Sequence, residues 1–277
     1  MRFGIFLPPF GDLAEPARVA DLAAAAEDAG WDGVFLWDHM LAGPDVPVAD
    51  PWITMAAMAV ATSTLRLGAL VTPLARRRPW VLARQMATLD RLSGGRLVAG
   101  VGLGDDGWGE FSSFGEVVDP VARAVVLDEA LEVLQALLSG APVSHAGRHF
   151  AVDTTALLPA PQQSPLPFWG ACRWPHRKPL ARAAKLQGCF PIFAGSGSPA
   201  PDPAEVAAVA EALRDLGAAA DIDLILACTL SLESPAGVAG TVAQLERAGA
   251  TWLLDSSGPG EPAAIVEEIV RQGPPRG

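Results

Sequence analysis

The chain alternates short runs of apolar and β-branched residues with longer stretches in which apolar positions recur every three or four residues. The first runs cover residues 2–7, 33–37, 65–71 and 97–102, and their starts lie 31, 32 and 32 residues apart. Such runs, with little polar alternation, read as strands buried on both faces, and the Ala/Leu-rich stretches between them as amphipathic helices. Residues 16–29, 51–62 and 79–92 each begin with a proline, whose fixed φ suits the first helical turn, and Ser93, Gly94 and Gly95 close the third. The period breaks at the Gly-, Asp- and Ser-rich segment 103–120. A long helix is expected over 121–138, with Leu127, Leu131, Leu134 and Leu138 as its apolar positions, and a short hairpin near 143–152. Strands resume at 168–171, 188–193, 224–230 and 251–255, each followed by a helical pattern, at 179–186, 203–216, 236–248 and 262–272.

Repeating strand–helix units force right-handed crossovers and a parallel sheet. Eight of them in about 250 residues fit a closed (β/α)8 TIM barrel. The expected fold class is therefore α/β, one barrel domain over residues 1–277, with 103–167 inserted over the mouth after the fourth strand. A doubly wound open sheet is the alternative.

Composition narrows the function. Of 277 residues, half are hydrophobic and 18% charged, and 20 basic against 31 acidic residues leave a net charge of −11. That field repels nucleic acid and anionic membrane surfaces, and no apolar run is long enough to span a bilayer. Met1 to Ile5 do not open a signal peptide. Cys172, Cys189 and Cys228 are too few and too scattered for a disulfide framework or a zinc site, so no metal is expected. These features read as a soluble cytoplasmic protein acting on a small molecule. Tyr and Asn are absent, and the only lysines, Lys178 and Lys185, lie off the strand ends, which disfavours a Schiff-base enzyme.

Barrel chemistry sits at the C-terminal strand ends. His39, after the second strand, can exchange a proton near neutral pH; it is the leading catalytic candidate, with a structural role as the alternative. Asp38 points the other way in a regular strand and need not be its partner. Gly102, Gly104 and Gly107 match a dinucleotide-binding spacing, but Asp105 and Asp106 inside it would repel a pyrophosphate and no helix follows. Asp105 is instead a candidate pocket acid. Residues 172–178 form a cationic cluster suited to an anion, with His176 a candidate phosphate contact. Arg76, Arg77 and Arg78 read as solvated loop charge, and His145 and His149 as surface residues. Trp37, Trp80, Trp108, Trp169 and Trp174 fall near strand ends, where aromatic rings suit a planar ligand. A barrel hydrolase using Asp105 and Asp255 is a competing class.

Several segments together resemble the bacterial luciferase-like monooxygenases, the flavin- or deazaflavin-dependent barrel oxidoreductases. They are residues 2–9, 26–35, Trp37 to His39, 62–69, 89–97 and Gly100 to Gly102, with weaker matches at Glu110-Phe111, Phe114-Gly115, Asp128-Glu129 and Gly273 to Arg276. The resemblance implies an oxidoreductase or monooxygenase with FMN or F420 across the barrel mouth, and His39 near the reactive face of the ring. It implies a bulge after the third strand with a non-prolyl cis bond at Leu70–Val71. Pro8, Trp37, Ala69, Leu70, Val71, Gly102, Leu103 and His176 are then expected cofactor contacts, with Gly170, Ala171, Cys172 and Arg173 where the resemblance puts the phosphate. Some flavin-using relatives carry an Arg where this chain has Leu103, deazaflavin relatives often have paired glycines where it has Cys172 and Arg173, and one group uses a carboxylate matching Asp105. FMN and F420 both stay open, as does a cofactor-free binding protein. Relatives often form homodimers through barrel helices, and such apolar faces fit a core role equally.

Overall fold

The computed structural model describes residues 1–194, 200–230, 235–258 and 260–275. The loop 194–203, which with the insertion 103–167 is expected from the sequence to shape the substrate pocket, lies in part (195–199) outside the described residues, as does Arg276 of the terminal motif. Ten strands form: β1 (Arg2–Leu7), β2 (Gly33–Leu36), β3 (Arg66–Pro73), β4 (Leu97–Gly102), β5 (Val143–Ala146), β6 (Ala151–Thr154), β7 (Phe168–Arg173), β8 (Gly188–Ile192), β9 (Asp223–Cys228) and β10 (Trp252–Ser256). Eight of them close a parallel barrel in the order β1-β10-β9-β8-β7-β4-β3-β2, and β5 pairs β6 antiparallel as a separate hairpin. Closure excludes the open-sheet alternative.

The helices are α1 (Pro16–Asp28), α2 (Pro51–Ala61), α3 (Pro79–Leu92), α4 (Pro120–Leu138), α5 (Arg177–Ala183), α6 (Pro203–Asp215), α7 (Pro235–Arg247) and α8 (Ala263–Gln272). α2, α4 and α6 share one start signal. Asp50, Asp119 and Asp202 each cap a helix whose first residue is proline, accepting the N–H of Ile53, Ala122 and Ala204. α5 begins two residues before the proline that marks it in the sequence, so Pro179 sits inside its first turn.

Strand alternation sorts side chains into two cores. Outward residues such as Ile5, Leu67, Cys189 and Leu253 pack under the helices. Inward residues form a smaller aromatic cluster in which Trp169 lies 5.2 Å from Phe35 and 5.4 Å from Trp252. Glycines make room for these rings: a Cβ on Gly33 would sit 2.7 Å from the Phe35 ring, and one on Gly188 2.2 Å from Trp169. The register shifts between Ala69 and Thr72, and this bulge turns both Leu70 and Val71 toward the interior. The Leu70–Val71 peptide is cis, as the resemblance implies.

The N-terminal ends of β3 and β4 carry a dense polar network. Glu27 accepts the N–H groups of Ser63, Thr64 and Leu65 and the Thr64 hydroxyl. Buried Arg96 donates to the carbonyls of Ala59, Thr62, Leu65 and Ser93 and to the Thr62 hydroxyl. Asp90, fully buried, accepts from the backbone of Gln162 and Gln163 and from the Gln163 side chain. The segments 62–69 and 89–97, singled out above, build this lower rim.

Candidate functional site

The C-terminal ends of the strands open into a cavity of about 1580 Å³. Phe6, Leu70, Val71, Ala171, Ile192 and Ala227 give it an apolar floor above the aromatic cluster. The cavity continues outward between α4 and α5, past Val121, Val125 and Leu131 on one side and Arg177, Arg182 and Lys185 on the other.

His39 lines the mouth with its side chain 23% exposed. Its Nδ1 lies 2.6 Å from the Glu110 Oε2, and the imidazole is framed by Trp108 at 4.9 Å and by Phe10 and Trp37, both at 5.7 Å. With Nδ1 committed to a carboxylate, the neutral ring carries its proton on Nδ1 and offers Nε2 to the cavity. Asp38 turns away from His39, as the strand period predicts. It accepts from both Arg76 and Arg77 at 2.9 Å and from the Trp52 indole at 3.2 Å. Arg76 also reaches Glu110 at 3.1 Å, which links His39, Glu110, Arg76, Asp38, Arg77 and Trp52 in one network. Two carboxylates and two guanidiniums balance in this network. Burial acts to raise the Glu110 carboxyl; the hydrogen bonds from His39 and the Met40 N–H, with the charge on Arg76, outweigh it and hold the group below the usual carboxylate range.

Arg76 and Arg77 are thus not solvated loop charge. Their side chains are largely buried, and only Arg78, resting over Trp80, is exposed. Reading them from the sequence required Asp38 as a partner, 38 residues upstream. Glu110 was legible only as part of a weak motif, and no local spacing ties it to a histidine 71 residues earlier.

The luciferase-like monooxygenase family matches residues 1–252. The chain belongs to this family. An F420-dependent glucose-6-phosphate dehydrogenase from Nakamurella multipartita is 32% identical over 177 residues, 60% of this chain and 49% of the relative, so the chain spans about half the length of such relatives. Two solved structures share the fold. A monooxygenase from Streptomyces bottropensis has a TM-score of 0.80 at 19% identity, over 98% of this chain and 97% of its own. The coenzyme F420 dependent tetrahydromethanopterin reductase of Methanopyrus kandleri has 0.76 at 20%, over 98% and 97%.

Of the residues that the luciferase-like resemblance places at the site, Trp37, His39, Leu70, Val71 and Leu103 line the cavity, as do Ala171, Cys172, Arg173 and His176. Ala69 and Gly170 do not. They sit on the outer face of their strands, Ala69 in the helix-side core and Gly170 against Ala183 of α5. Pro8 and Gly102 are buried in the wall, and a Cβ on Gly102 would lie 2.4 Å from Val71. Asp105 reaches the rim, but it is exposed and accepts the Gly107 N–H at 3.0 Å. The hydrolase pairing fails on geometry. Asp255 follows the outward parity of Leu253, is buried, and accepts the Leu230 N–H at 3.2 Å, while the neighbouring Ser256 lines the cavity. Trp169 fills the barrel below the mouth, and Trp80 stands outside on α3 against Phe150. His145 is half-buried, with its Nε2 3.4 Å from Glu129, rather than a free surface residue.

Proposed function

We propose that this chain is an oxidoreductase that binds a deazaflavin of the F420 type across the barrel mouth, with His39 as the proton donor or acceptor. The observation that carries the reading is the His39–Glu110 pair at the edge of an apolar, aromatic-walled slot. The slot suits a flat ring. Its floor is apolar, Ala171 and Ala227 keep one side low, and the buried Trp37 indole N–H has no partner among the described residues. The exposed cations Arg173, Arg177 and Lys178, with the His176 imidazole, line the same cavity and suit the anionic part of the ligand. The F420 dependence of the Nakamurella relative supports F420; FMN is the second reading.

When bound, such a ring supplies a two-electron hydride acceptor or donor. The protein's part is positional and electrostatic. Leu70, Val71 and Trp37 hold the ligand plane and exclude water. Glu110 fixes the His39 tautomer and stabilises the imidazolium, so that Nε2 gives a proton to or takes one from a small substrate. Arg76 and Asp38 hold Glu110 and the base of the loop in place.

Absorbance and fluorescence titrations with F420 and, separately, FMN test this. Micromolar binding of F420 supports it. Tighter binding of FMN favours the second reading, and binding of neither below millimolar concentration overturns both.

A further inference from the structure

We infer that Trp108 is a positioning residue that seals the outer side of His39 from bulk water, so that the imidazole exchanges its proton through the cavity alone; this rests on the oxidoreductase reading of the mouth. Of the aromatic rings around His39, Trp37 lines the cavity, whereas Phe10 and Trp108 meet the imidazole without lining it. Trp108 stands closest, at 4.9 Å, and packs edge-on against Phe10 at 6.0 Å. Nδ1 is taken by Glu110. The imidazole is thus walled by apolar rings off the cavity and open toward it.

The turn that carries Trp108 is cross-tied. Asp106 accepts the N–H groups of Phe111 at 2.7 Å and Ser112 at 3.1 Å, and its carbonyl accepts that of Gly109 at 2.9 Å. The Gly104 carbonyl accepts from buried Arg123 at 3.3 Å. Gly104 and Gly109 bend the chain at φ 74° and 77°, in the left-handed region that favours glycine, and a Cβ on Gly104 would lie 2.8 Å from Pro73. One turn therefore sets two side chains on one imidazole: Glu110 on Nδ1 and, two residues earlier, the Trp108 indole. Phe10 is fixed as firmly. It bridges Val48, and the Gly11 and Ala49 N–H groups meet the Pro47 and Pro9 carbonyls, each at 2.9 Å.

Water exclusion is what these walls contribute. A proton-exchanging group in contact with bulk water equilibrates with it, whereas one enclosed by apolar rings passes its proton to whatever occupies its open side. The 23% of the His39 side chain that is exposed then faces the cavity, and a flat ligand there covers the remaining approach to Nε2.

Diethyl pyrocarbonate, which acylates neutral imidazole, tests the seal. The chain has four histidines and no Tyr, and peptide mass spectrometry follows His39 against exposed His149, which lies off the cavity, in one sample. Rates are measured with and without saturating F420, or FMN where F420 does not bind, on the wild type and on Trp108→Phe, Trp108→Leu and Trp108→Ala. In the wild type the bound ring should slow His39 acylation about tenfold or more relative to His149, falling stepwise with side-chain size to about twofold or less in Trp108→Ala, with ring affinity kept within about threefold. If Trp108→Ala does not fold, the Phe and Leu steps decide. Equal protection in every variant, or none in the wild type with the ring bound, overturns the seal and leaves the ring site intact. A larger loss of affinity makes Trp108 a ring contact and overturns the positioning role. Failure of both F420 and FMN to bind the wild type overturns the seal and the oxidoreductase reading together.

Discussion

The two ends of the barrel solve opposite problems with the same residue types. At the lower rim the charged network is closed: the five N–H donors of the Arg96 guanidinium meet five acceptors, and Glu27 gathers four donors, while the Trp252 indole N–H is the buried donor there without a partner among the described residues. At the mouth the ion network is as buried but not closed. The Nε atoms of Arg76, Arg77 and Arg123 and the Trp37 indole nitrogen are buried without a partner, and His39 offers Nε2 to the cavity. Buried polar groups are normally satisfied, and two of these, on Trp37 and Arg123, belong to residues that line the cavity, where a ligand could meet them. The lower rim holds the strands together, whereas the mouth holds charges ready.

Substitutions can break that contrast. The largest effect is expected at His39: His39→Ala should lower turnover by about 10²–10⁴-fold with the melting temperature nearly unchanged, measured in steady-state assays with reduced and oxidised F420. Loss of folding rather than turnover would move His39 into the structural class. Arg96→Ala should do the reverse. Leaving five buried acceptors unpaired is expected to cost about 3–5 kcal/mol in denaturant unfolding, with ring binding retained by the folded fraction.

Two titrations sharpen the comparison through smaller effects. Burial, with a contribution from Glu261, outweighs the Leu230 hydrogen bond and pushes the Asp255 carboxyl up to about 6. The folded chain therefore keeps a proton that the unfolded chain releases between pH about 4 and 6, and stability falls as pH rises through that window. Asp255→Asn should flatten this slope and stabilise the protein by about 1–3 kcal/mol above pH 6, followed by thermal melts across pH. Glu27 runs the other way. Burial acts to raise it, but the Thr64, Leu65 and Ser63 donors outweigh that and lower its carboxyl to about 2. Its contribution is present above its ordinary value and is lost as pH falls toward 2. Glu27→Gln should cost about 1–2 kcal/mol at neutral pH, and that difference should shrink in acid. A cost that did not change with pH would show that the carboxylate charge contributes nothing at this rim.

How far the site could be read from the chain depends on distance along it. The strand spacing and the proline-led helices were legible because each is a short-range signal, whereas the bulge at Leu70–Val71 was legible only through the family resemblance. His39 was legible because a strand end is a short-range feature. The roles of Arg76 and Arg77 were misread because solvated and buried arginines look alike until Asp38 is placed beside them. Asp255 looked like a mouth acid because strand ends carry no visible parity until the barrel interior is known. The hydrogen-bonded partner of His39 had no local signature at all.

By itself the chain determined eight strand–helix repeats, and with them a closed parallel barrel, because periodicity, capping and crossover handedness all act within one repeat. Only the tertiary structure decided which charges neutralise one another, which strand residues turn inward, and where α4 leaves a gap beside α5. Those outcomes depend on burial and on contacts between segments 38 to 71 residues apart, and pairing energies at that range exist only once the barrel has closed.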